Sequence, residues 1–149
     1  MGTATNQHNR IAHLNSFLRG EMSAVETYRL ALGKLDAASP ARAQIEACLS
    51  SHARRVHALK FKIVELGGTP VESSGAWGVF AKAIEVGAAV FGEKAAISAL
   101  EEGEDRGLRD YRNDVLNMDI DTRTLVTTTL LPQQEETHRT LSTLKRQLQ

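Results

Sequence analysis

The sequence predicts an all-α protein, with four long helices arranged as two antiparallel hairpins joined by a long crossover that carries a short helix of its own. Apolar residues recur at helical spacing along most of the chain, and no stretch alternates apolar with polar residues long enough to make a strand. Glycine and proline breaks divide the chain unevenly, leaving one short and one long connection. With 149 residues the chain can bury one sizeable core but not two, so a single domain spanning 1–149 is expected.

The first helix is expected over about residues 8–35, where Ile11, Leu14, Phe17, Leu18, Met22, Val25, Leu32 and Leu35 form one continuous stripe. Asp36 to Pro40 ends it. Ser39 and Pro40 make a suitable N-cap and first-turn pair for a second helix over about 40–66, which stops at Gly67-Gly68 ahead of Pro70. That helix would be ~40 Å long at 1.5 Å per residue, so reaching a parallel third helix requires a long connection. A short crossover helix over about 76–91, between Gly75 and Gly92, fits within it. The third helix is expected over about 94–118 and the fourth over about 122–148, with Asp121 as its cap and Pro132 as a kink.

Lys plus Arg balance Asp plus Glu at 18 each, so no global field draws the chain to nucleic acid or to an anionic membrane. Cys48 is the only cysteine, which excludes an internal disulfide framework and an all-thiolate metal site within one chain. It reads as a small buried residue in a reducing compartment. Met1 to Arg10 lacks a cationic start followed by an apolar run, and Trp77 to Phe91 is too short to span a bilayer and is broken by Lys82 and Glu85. A cytoplasmic protein with no membrane anchor is expected. The apolar girth of the crossover, including Trp77, Phe80, Ile84 and Phe91, suits covering both the bundle and a second copy, so a homodimer is expected.

Two acids stand out within the apolar stripes. At 100° per residue, Glu21 falls among Leu14, Leu18, Val25 and Tyr28 on the first helix, whereas Glu26 points away. Glu104 falls among Ile97, Leu100, Leu108 and Tyr111 on the third, with Glu101 toward the flank. The two correspond, because Gly20-Glu21 is followed by Tyr28-Arg29 at the same spacing as Gly103-Glu104 by Tyr111-Arg112. Buried carboxylates need a cation, a hydrogen-bond network or a proton, and a matched pair suggests a shared partner. Glu135 and His138 add an i, i+3 carboxylate–imidazole pair on the fourth helix, a donor set suited to iron, manganese or zinc. On the second helix His52 lies centrally on the apolar face and His57 toward its flank, and neither has a carboxylate three residues before it. Arg54 offers an internal cation instead.

Two hairpins joined by one long crossover is the arrangement of ferritin-like bundles. The segment RGEMSAVETY resembles the helix-1 motif of rubrerythrins and bacterioferritins, and HALKFKIVELGG resembles the rubrerythrin helix-2 ending. The resemblance implies metal ligation by Glu21, Glu104, Glu135 and His138, with His57 on the family histidine, Arg54 in place of its carboxylate, and Gly107 in place of a further acid. His52 is the alternative helix-2 ligand. GEDRGLRDY is similar to the third helix of a bacterial ferritin-like family of unknown function, a likeness that covers essentially the whole chain. Together these imply one or two bound ions of iron, zinc or manganese at an incomplete or altered site, with iron- or peroxide-related oxidoreductase chemistry. The alternative is a metal-free structural or protein-interaction bundle that has lost the di-iron site.

Overall fold

The computed structural model describes residues 2–75 and 92–148, with the backbone alone for residues 2–5. The expected crossover helix, and with it the dimer expectation, falls outside the described residues. Among the described residues there are four long helical segments: α1 (Gly2–Lys34), α2 (Arg42–Glu65), α3 (Glu93–Asp114) and a fourth made of α4 (Ile120–Leu125), a π turn (Val126–Leu130) and α5 (Leu131–Gln147). Among the described residues there is no strand, and no helix is long and apolar enough to cross a membrane.

Side-chain bonds between helices fix their directions. Gln7 at the start of α1 reaches the Leu66 carbonyl just past the end of α2 (2.6 Å), so these two helices are antiparallel. Arg42 at the start of α2 closes the other end by donating to the Leu32 and Leu35 carbonyls, in the last turn of α1 and just past it. Glu101 meets Lys145 and Glu104 meets Gln134, which makes α3 and α5 antiparallel. Tyr28 bonds Glu104 and Tyr111 bonds Glu21, so α1 and α3 are also antiparallel, and α2 and α3 consequently run the same way. The chain leaving α2 turns at Gly67 (φ 82°) and returns along α1, with Asn15 binding Thr69 and Val71, and Glu26 binding Ser74. Glu93, at the start of α3, accepts a bond from Ser39 in the α1–α2 turn, at the opposite end of the bundle.

The boundaries differ from expectation in ways the local chemistry explains. α1 begins at Gly2, because no proline interrupts Thr3 to Arg10. Asp119, not Asp121, caps the fourth helical segment; its carboxylate accepts from the Thr122 amide at 3.1 Å, and Ile120 opens the helix. Pro132 is accommodated with a π turn just ahead of it: the Leu131 amide donates five residues back to Val126, and Pro132 itself has no amide to donate. Through that turn the buried residues Thr122, Val126, Leu130 and Gln134 recur every fourth position.

Among the described residues the core has two apolar parts. One, at the end holding the α1–α2 turn, includes Leu35, Ile45, Ile97, Leu100 and Leu141; the other includes Leu14, Leu18, Leu59, Ile63 and Leu130. Between them lies a layer of buried polar side chains. The Asp119 cap ties the fourth helix to α1 through Arg10, 2.9 Å away. Asp119→Ala is expected to cost about 1 kcal/mol of stability, the usual value of an N-cap. Urea unfolding would measure it, and an unchanged midpoint would count against the cap.

Candidate functional site

The polar layer is built from one residue pattern used twice. α1 contributes Glu21 and Tyr28, and α3 contributes Glu104 and Tyr111, each acid seven residues before its tyrosine. The tyrosines cross over: Tyr28 donates to Glu104 at 2.5 Å and Tyr111 to Glu21 at 2.6 Å. α2 contributes His52 and Arg55, and α5 contributes Gln134 and Thr137, again at matching i, i+3 spacing. All eight side chains are buried, and Arg55 is fully so at 0% exposure.

His52 bridges the two acids. Its Nδ1 lies 2.6 Å from Glu21 Oε2 and its Nε2 2.6 Å from Glu104 Oε1. An ionised carboxylate can only accept a hydrogen bond, so both ring nitrogens must donate and the ring is an imidazolium. Arg55 supplies the second cation: Nη1 donates to Glu21 Oε1 (3.1 Å) and to Gln134 Oε1, and Nη2 donates to Ser51 (3.2 Å) and Thr137 (3.0 Å). Glu104 Oε2 is held by the Gln134 amide (2.7 Å) and the Thr137 hydroxyl (2.8 Å). Two negative and two positive charges cancel, and every carboxylate oxygen has a partner.

The ionisation equilibria follow from this arrangement. Burial pushes the Glu21 carboxyl up, but the Arg55 and His52 charges and the bonds from His52 and Tyr111 overcome it and hold it at about 2. Glu104 is also lowered, burial again being outweighed by His52 and Tyr28. Burial would lower His52, yet Glu104 and Glu21 raise it above its ordinary value. Burial and the adjacent acids push both tyrosines well above the usual phenol range. Burial and then Glu104 bring the Cys48 thiol to about 12, so it stays protonated and is no nucleophile.

Of the residues singled out from the sequence, the structure brings together Glu21, Glu104 and His52. His57 lies about 140° around α2 from His52 and is exposed. Arg54, expected as an internal cation, is exposed too; its neighbour Arg55 faces inward because it stands three residues, nearly one turn, after His52. Glu135 and His138 each follow a core-facing residue by one position, and so flank the layer. Glu135 pairs with Arg112 (3.5 Å) and His138 with Asp105. Gly107, in the position of an acid in the resembled family, leaves room for Gln134: a Cβ there would stand 2.7 Å from the Gln134 amide nitrogen that holds Glu104. A cleft of about 240 Å³ between α1 and α3 adjoins Glu21, His52, Glu104 and Gln134.

The donor set at the centre does not fit a metal ion. A histidine ligand needs a lone pair on one ring nitrogen, so an ion would have to displace a proton that Glu21 and Glu104 hold on His52. Arg55 adds a permanent charge beside it. Elsewhere, Glu101, Asp105 and His138 offer ligand atoms within 4.8 Å of one another at the half-exposed α3–α5 seam. Lys145 already holds Glu101 there, at 3.1 Å. No family model matches this chain, and no curated protein or solved structure matches it either.

Arg55→Ala leaves Glu21 short of a cation and is expected to cost about 3–5 kcal/mol, as for other broken buried pairs. Arg54→Ala is expected to leave the urea midpoint unchanged; equal losses in the two would contradict the assignment. The pH dependence is bounded on both sides. Glu21 and Glu104, lowered in the fold, contribute stability that is complete above their ordinary value of 4.5 and is lost as pH falls, for Glu21 toward about 2. His52, raised in the fold, contributes stability that is complete below its ordinary 6.5 and is lost as pH rises through its folded value. Unfolding followed across pH should show an alkaline decline in wild type that His52→Gln lacks; the same decline in both would rule out His52 as its source.

Proposed function

We propose that this chain is a ferritin-like bundle that works without a metal at its centre, as a structural or protein-interaction module in which His52 and Arg55 supply the positive charge a metal pair would bring. The observation that carries this reading is the fully buried Arg55 guanidinium bonded to Glu21, beside a His52 ring whose two nitrogens are both engaged by glutamates. The helix directions, with α2 and α3 parallel and Glu93 at the opposite end from Gly67, support the ferritin-like arrangement of two hairpins joined by a crossover. An outward-facing role is supported by Phe61, Val64, Leu116 and Ile120, large apolar side chains exposed by 62–83% at the end where α1 begins.

A second reading, metal binding at the surface, is favoured by the Glu101–Asp105–His138 grouping, whose oxygen and nitrogen donors suit zinc or manganese. One titration separates the readings. Protein purified anaerobically and titrated with Fe²⁺, Mn²⁺ and Zn²⁺ is expected to bind no ion in a manner that depends on Glu21. Stoichiometric binding abolished by Glu21→Gln or Glu104→Gln would overturn the metal-free core. Binding abolished by His138→Ala and kept by Glu21→Gln would assign the ion to the surface group.

A further inference from the structure

We propose that the centre of the bundle is a recognition site for a guanidinium-type cation, occupied within the same chain by Arg55; this rests on the metal-free reading of the core. The acceptors that surround the guanidinium carry the inference. Glu21 Oε1 and Gln134 Oε1 take one terminal nitrogen, and Ser51 Oγ and Thr137 Oγ1 take the other. They come from α1, α2 and α5, so the cage is assembled by the fold rather than by one local turn.

Its chemistry selects among cations. One carboxylate oxygen, one amide oxygen and two hydroxyl oxygens match a planar, weakly hydrated ion with several fixed N–H donors. Transition ions at carboxylate-rich sites ask for imidazole and further carboxylate ligands, and the nearest imidazole is a cation that repels them. Among the described residues Arg55 Nε has no hydrogen-bond partner, so the cage recognises the two terminal nitrogens rather than the stem. Shortening Arg55 removes the resident cation and leaves one net negative charge among Glu21, Glu104 and His52. The cleft beside Glu21, His52, Glu104 and Gln134 gives an added ion a space adjoining the cage.

The test is chemical rescue of full-length Arg55→Ala, in a His138→Ala background that removes the surface group. Thermal unfolding is measured in millimolar methylguanidinium chloride against matched tetramethylammonium chloride. The expected result is a rise of several degrees in the unfolding midpoint for Arg55→Ala, none for the parent with Arg55 intact, and loss of the rise when Glu21→Gln is added. Should Arg55→Ala not fold, Arg55→Gln, which keeps a polar side chain of intermediate length, is read the same way. No rescue of a folded variant, rescue that survives Glu21→Gln, or rescue by Mn²⁺ or Zn²⁺ in place of methylguanidinium would overturn the proposal. Glu21-dependent metal binding by wild type would instead overturn the metal-free reading beneath it.

Discussion

Two ionised carboxylates inside a helical core cannot be left without positive charge, because water is not there to solvate them. Here the chain supplies that charge itself, with His52 spanning both acids at 2.6 Å on each side and Arg55 bound to Glu21. Much of the structure is arranged to make this possible. The tyrosines cross between α1 and α3 to donate to one oxygen of each acid, and Gln134 and Thr137 hold the second oxygen of Glu104 from α5. The outcome is a neutral polar plane between two apolar clusters.

Such a plane is a poor source of net stability, since desolvating four charges offsets most of what their attraction returns. Its effect is on register. Turning any one helix by a residue would strand a charge or a hydroxyl in the apolar layers, so the network penalises alternative packings more than it rewards the native one. Gly107 and the π turn belong to the same constraint. The glycine makes room for the Gln134 amide beside Glu104, and the π turn, set by Pro132, brings Gln134 and Thr137 to the inward face.

The acids were legible because each interrupts an apolar stripe at the same distance from a tyrosine, a signal that survives small errors in helix phase. His52 is legible as the central position on the apolar face of α2, whereas the rubrerythrin-like helix ending points to His57, which the helix turns outward. Arg55 is hidden because arginine is usually a surface residue and an identical side chain, Arg54, stands beside it. Its spacing from His52, three residues on one face, held the information. Gln134 and Thr137 were hidden for a different reason. A regular helix turns every 3.6 residues, whereas the buried positions from Thr122 to Gln134 fall every fourth, and no periodicity argument carries a face correctly through an unanticipated π turn.

The charge of one ring decides whether the core carries its own cations. Nitrogen-15 NMR of the His52 side chain at neutral pH reports directly whether each ring nitrogen carries a proton. Both Nδ1 and Nε2 are predicted to be protonated, with two slowly exchanging N–H protons and an imidazolium shift for each nitrogen. A neutral ring with one unprotonated nitrogen would contradict the internal-cation account and would return to His52 the lone pair that a metal ligand requires.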